Sequence, residues 1–150
     1  MMNKQSILIS TRTSYRVRYS DTDQMGVVYY GEYPRFYEMG RSEMIRDFGY
    51  SYKELEESGV FMPVASMTTK YHRPLYYDEL ITIETALKEI PKARMVFYHT
   101  IYNANMEIVN TAEVMLVFLS KATNRPVRVP DHLVKVLEVK CKEILNEEEK

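Results

Sequence analysis

The chain has no tryptophan, one cysteine, three histidines and five glycines in 150 residues. A single cysteine closes no intrachain disulfide. Neither Cys141 nor the scattered His72, His99 and His132 show a zinc-ligand spacing, so no metal site is expected. Excess charge of one sign is missing too: 20 Lys and Arg stand against 21 Asp and Glu, a formal net charge of −1. That balance supplies no global field for a nucleic-acid backbone, and no nucleic-acid partner is expected. No apolar run approaches the ~18 residues of a spanning helix. The short stretch Ile7, Leu8, Ile9 is too brief for a secretory core. G-x-G-x-x-G, Walker and G-x-S-x-G patterns are also absent. A cytoplasmic protein without a resident cofactor is the expectation.

What remains is a globular composition, 45% hydrophobic and 27% charged, with aromatic content concentrated in 13 tyrosines. Tyrosine joins an apolar ring to a hydroxyl that needs a partner, so many should lie half-buried on sheet faces or at interfaces. No linker or internal repeat divides the sequence, and residues 1–150 read as one domain ending in an acidic tail.

Periodicity orders the elements. Residues 14–19 read as a strand, ending at the polar run Asp21, Thr22, Asp23, Gln24 closed by Met25 and Gly26. From about Tyr30 to Phe48 the period is helical, with Tyr33, Phe36, Tyr37, Gly40 and Met44 on one face. Pro34 fits only a first turn, which sets the start near Tyr30 and Gly31, and Gly49 ends the helix. Gly40 on the buried stripe costs ~1 kcal/mol against Ala, so it implies close approach to a sheet. Residues 51–58 form a short second helix. Strands are expected around Ile81 to Leu87, over 94–102 and over 111–119, the last apolar on both faces as a central strand is. Residues 133–145 form an amphipathic helix. The class is α+β.

The chemistry is most legible in residues 17–30, where Asp21 and Asp23 lie just ahead of a helix N-terminus. Unpaired N–H groups and partial positive charge make that terminus a site for a developing oxyanion, and a neighbouring carboxylate can act as base or nucleophile. The same carboxylates can equally serve only to hold the loop and complement the helix dipole. Elsewhere, Cys141 has no histidine near it in sequence, and Glu38 reads as a surface partner of Arg41 or Ser42.

The pattern R-Y-x-D-T-D-x-x-G-V-V-Y from Arg18, followed by Tyr33, Phe36, Glu38, Arg41 and Glu43, resembles the hot-dog-fold acyl-CoA thioesterases. Within them it is most similar to the 4-hydroxybenzoyl-CoA and Tol–Pal-associated thioesterases. The likeness spans roughly residues 14–135 and includes the run from Pro126 to Pro130. It implies a long helix wrapped by a five- or six-stranded antiparallel sheet, assembled as a homodimer or homotetramer. It implies an acyl-CoA substrate, Asp23 as the catalytic carboxylate, and the backbone N–H of Tyr30 or Gly31 as oxyanion donor. Lys92 and Arg94 match the basic turn that contacts coenzyme A phosphates. Tyr30 stands where many relatives carry His, and Glu32, where Asn is frequent, places a second carboxylate near the site.

An acyl-carrier-protein thioesterase or a dehydratase of the same fold is the enzyme alternative. Dehydratases of this fold pair a His with a carboxylate, and no His precedes His72. A non-catalytic acyl-CoA-binding module would keep the pocket without needing Asp23.

Overall fold

A computed structural model describes residues 7–149. Strand β1 (Ile9–Arg16) leads through one-turn 3-10 helices at Tyr19–Asp21 and Tyr30–Glu32 into helix α1 (Tyr33–Asp47). Helix α2 (Tyr52–Glu57) follows, then strands β2 (Val60–Phe61), β3 (Val64–Tyr71), β4 (Leu80–Leu87), β5 (Arg94–Tyr102), β6 (Ile108–Ser120) and β7 (Pro126–Val127), and finally helix α3 (Asp131–Glu148). The strands form one antiparallel sheet in the order β1-β4-β5-β6, with β3 on the far side of β6. The two-residue strands β2 and β7 pair with the end of β6 and bring the count among the described residues to seven, against the five or six expected.

Three boundaries differ from the sequence reading. β1 begins at Ile9 rather than Ser14, because Ser10, Arg12 and Ser14 alternate outward while Ile9 is buried. The α-helix proper begins at Tyr33, and the turn before it is the tighter 3-10 form. β6 runs for 13 residues because it serves both β5 and β3.

α1 lies across the sheet and packs against β4, β1 and β5. Its buried residues include all five of the expected stripe, Tyr33, Phe36, Tyr37, Gly40 and Met44. Arg41 joins them at 7% exposure, against the surface pairing with Glu38 that the sequence suggested. It sits one turn after Tyr37, on the inward side, with its guanidinium 5.9 Å from the Phe97 ring centre. Glu38 is exposed and makes no ion pair among the described residues.

Several polar groups under the helix are paired, while Arg41 Nε and His99 Nε2 have no hydrogen-bond partner among the described residues. Tyr37 Oη donates to Asn110 Oδ1 and lies 2.7 Å from Thr69 Oγ1, joining α1 to β6 and β3. Its ring stacks on His99 at 5.0 Å. Thr85 Oγ1 lies 3.1 Å from His99 Nδ1. Burial pushes the His99 imidazole well below its ordinary value, and the charge of Arg41 acts in the same direction, so this histidine is neutral.

Gly40 rides directly over that pair. A methyl group on it would overlap Thr85 Oγ1 and come within 3.0 Å of Ile83 Cγ2. Gly40→Ala therefore sets ~1 kcal/mol of helix propensity against an overpacking penalty of ~1–3 kcal/mol. Its melting temperature should fall, at about 2–4 °C per kcal/mol for a chain of this size. In a Thr85→Ala background, which removes the overlap with Oγ1 and leaves only the tight contact with Ile83, the same change should cost less. A raised melting temperature in the parent background would contradict the close seating.

Candidate active site

Residues 17–29 form a compact hairpin rather than a free loop. Val17 N–H donates to Glu79 O at 2.9 Å and Val28 N–H to Leu75 O at 2.8 Å, so both arms are stitched to the segment before β4. Thr22 and Val28 bridge across the hairpin. At its tip, Gly26 N–H donates to Asp23 O at 3.0 Å, with Gly26 at φ +78°, a conformation that glycine reaches without a Cβ penalty.

The two aspartates have different surroundings. Asp21 is 2% exposed. Its Oδ2 accepts from Tyr15 O–H and from Arg18 N–H, each at 2.8 Å, while Oδ1 accepts from the Arg35 guanidinium. Both oxygens are engaged in holding the loop. Asp23 is half-buried, and only Oδ1 is engaged, accepting Met25 N–H at 2.8 Å. Among the described residues Oδ2 receives no hydrogen bond. Asp23 thus has an oriented carboxylate with a free oxygen, the arrangement a base or nucleophile needs.

The helix entry follows immediately. Tyr29 N–H donates to Asp21 O at 2.9 Å, and Glu32 N–H to Tyr29 O at 2.9 Å. Tyr30 and Gly31 open the 3-10 turn, so their N–H groups find no acceptor within it. Tyrosines surround this entry. Tyr71 Oη donates to Tyr30 O at 2.9 Å, the Tyr33 and Tyr71 rings meet edge to face at 5.0 Å, and Tyr29 and Tyr30 lie 4.7 Å apart. Burial pushes the Tyr33 phenol up to about 12, so it stays protonated. Tyr29 and Tyr30 are exposed. Glu32 is bound to Arg35 Nε at 2.9 Å, which removes it as the free second carboxylate that its position suggested.

Asp23, Tyr30 and Gly31 are thus brought to one end of the chain's sheet. Lys92 and Arg94 are not with them. They sit in the β4–β5 connection and at the start of β5, the opposite end of an eight-residue strand. At ~3.4 Å per residue, that is roughly 25 Å away. Val129 N–H donates to Lys92 O at 2.6 Å, which carries Arg128 to the same end. None of Lys92, Arg94 and Arg128 has a carboxylate partner among the described residues. Arg128 stands in the Pro126–Pro130 run of the resemblance and, with Arg73, is the fallback for the phosphate contact; its proximity to Lys92 depends on the pairing of residues 126–127 with β6. Arg73 lies at the other end, paired with Glu107 at 3.3 Å.

His72, His99 and His132 contact Thr111, Thr85 and Tyr50 respectively. Among the described residues there is no group of three or more His, Cys, Asp or Glu side chains able to hold a metal ion. No described helix is long and apolar enough to cross a membrane.

Comparison with known proteins places this arrangement. Residues 17–137 match the model of the thioesterase-like superfamily. The acyl-CoA thioester hydrolase YbgC of Escherichia coli is 35% identical over 123 residues, covering 82% of this chain and 92% of that protein. The putative acyl-CoA thioesterase YneP of Bacillus subtilis is 31% identical over 118 residues, covering 79% and 86%. A DHNA-CoA thioesterase from Staphylococcus aureus superposes with a TM-score of 0.82 at 29% identity, covering 94% of this chain and 95% of that one. The fold is that of the hot-dog thioester hydrolases, and the chain belongs to the thioesterase-like superfamily.

Proposed function

We propose that the chain hydrolyses an acyl-coenzyme A to the free acid and coenzyme A, with Asp23 as base or nucleophile and the N–H groups of Tyr30 and Gly31 as the oxyanion site. The observation that carries this is the contrast between Asp21 and Asp23. One carboxylate is buried with both oxygens occupied, and the other keeps an oxygen free on the hairpin that leads into the helix entry. In the step proposed, Asp23 takes a proton from water as the water attacks the thioester carbonyl and passes it to the departing thiolate. Alternatively it attacks that carbonyl itself to form a mixed anhydride that water then hydrolyses, giving the free acid, the restored carboxylate and the proton for the thiolate. The charge that develops on the carbonyl oxygen is met by donors already in place, and the carbon–sulfur bond breaks to release the coenzyme thiol.

A second copy of the chain can bring Lys92 and Arg94 closer to the helix entry than the roughly 25 Å that separates them within one chain. β3 supports this. It is an edge strand, and Val64, Met67 and Tyr71 on it are 51%, 42% and 48% exposed. An edge of that kind is normally paired or covered. A two-fold axis beside β3 pairs it antiparallel with its counterpart, so the Val64 end of one copy adjoins the Tyr71 end of the other. Tyr71 touches Tyr30, and Val64 is level with the start of β5 through β6. One copy's basic turn then lies at the end of the assembly that holds the other copy's helix entry. Our reading is therefore a homodimer, able to pair further into a tetramer, with the nucleotide end of the substrate held on Lys92 and Arg94.

Two substitutions test these roles. Asp23→Asn preserves shape and removes the base or nucleophile, so kcat should fall by about 10²–10⁴-fold with the fold intact. Near-normal turnover would remove Asp23 from the mechanism. Replacing Lys92 and Arg94 together with Ala should raise KM for acyl-CoA and leave kcat nearly unchanged, since contacts remote from the thioester stabilise ground and transition states alike. The KM effect should shrink with added salt. Identical kinetics for double variant and parent at low ionic strength would move the phosphate site elsewhere.

A further inference from the structure

Arg35 lies on the first turn of α1, outside the buried stripe, and its side chain is 44% exposed. A surface arginine with one partner would contribute little. This one has two carboxylate partners on two different segments. One amino group of its guanidinium binds Asp21 Oδ1, and its Nε donates to Glu32 Oε2 at 2.9 Å. The same amino group lies 3.3 Å from Tyr15 Oη, and the guanidinium carbon sits 5.5 Å from the Tyr15 ring centre and 5.6 Å from that of Phe36. Asp21 anchors the hairpin that presents Asp23 two residues later. Glu32 ends the 3-10 turn that presents the N–H groups of Tyr30 and Gly31. The planar fork of arginine reaches both at once, and lysine's single ammonium group cannot reproduce that geometry.

We propose that Arg35 is a positioning residue whose bridge from Asp21 to Glu32 sets the separation between the Asp23 carboxylate and the oxyanion donors. This rests on the reading of Asp23 and the helix entry given above. It also gives Glu32 a role: it is the second anchor of the bridge and takes no proton in the reaction. Without the bridge the hairpin keeps its stitching to residues 75 and 79 and the bond from Tyr29 N–H to Asp21 O, but loses its side-chain tie to the helix entry. A misplacement of ~1 Å between reacting groups can cost about 10²-fold in rate.

Steady-state kinetics on purified wild type, Arg35→Ala, Arg35→Lys, Glu32→Gln, Asp23→Asn and Arg35→Ala/Asp23→Asn test the bridge, using an acyl-CoA that the wild type turns over. Circular dichroism checks the folding of each variant. Arg35→Ala should lower kcat about 10–100-fold with KM within about twofold, as loss of alignment between reacting groups requires. Arg35→Lys should recover only part of that loss, and Glu32→Gln should show a smaller loss in the same parameter. In the Asp23→Asn background Arg35→Ala should cost little more, because a residue acting through Asp23 has nothing left to align. Normal turnover in Arg35→Ala beside an impaired Asp23→Asn would overturn the bridge and leave the Asp23 assignment standing. A rise in KM with unchanged kcat, or losses that multiply in full in the double variant, would also overturn it, since Arg35 would then act independently of Asp23. Normal turnover in Asp23→Asn would overturn the underlying reading of the site. If Arg35→Ala fails to fold, Glu32→Gln, which leaves Asp21 and Arg35 paired, decides the question by the same split between kcat and KM.

Discussion

Helix α1 sits so close to the sheet that residue 40 has no room for a methyl group, and the positions of the remaining parts follow from that contact. Thr85 and Ile83 of β4 meet the helix backbone at Gly40, and His99 of β5 lies just beyond. Tyr37 one turn earlier reaches Asn110 on β6 and Thr69 on β3. With its middle fixed in this way, the helix can enter the sheet only at one end, beside the residues that follow β1. The unpaired N–H groups of its first turn therefore emerge where the Asp23 hairpin is stitched down. Packing in the core decides what the reacting carbonyl would meet at the surface.

The long helix and its buried stripe were legible because one face of a helix against a sheet leaves a 3.6-residue period, and Pro34 marks the first turn. Gly40 was legible as a close approach because glycine inside a helix has a cost that something must offset. β4 and β5 were legible from their alternation. The 3-10 turn before α1 was not, since the same residues suit either winding and the choice depends on Tyr29, Glu32 and the hairpin. Arg41 broke the pattern in the other direction. Charged residues at helical spacing read as a solvated face, yet the stripe is broad enough there to draw the arginine onto Phe97.

The resemblance singled out Asp23, while the residues alone left Asp21 and Asp23 equivalent. What distinguishes them is the number of donors each carboxylate receives, and those donors come from Tyr15, Arg18 and Arg35, spread over 21 residues of chain on both sides of the pair. Glu32 reads as a free carboxylate in sequence for the same reason, because its pairing depends on where the Arg35 side chain turns. The separation of Lys92 and Arg94 from Asp23 is a property of strand direction. It becomes visible once β4 and β5 are known to be antiparallel and to carry the basic turn away from the helix entry.

The claim that joins these observations is that the helix entry and the hairpin form a hydrolytic centre rather than a docking place for an acyl group. Free-thiol release followed over a series of acyl-CoA thioesters, short and long, aliphatic and aromatic, tests it most directly. The account predicts multiple turnovers on at least one member, with one thiol and one free acid formed per thioester consumed. Saturable binding of an acyl-CoA with no thiol released from any member of the series would contradict it, and would make the chain an acyl-CoA-binding module built on the thioesterase fold.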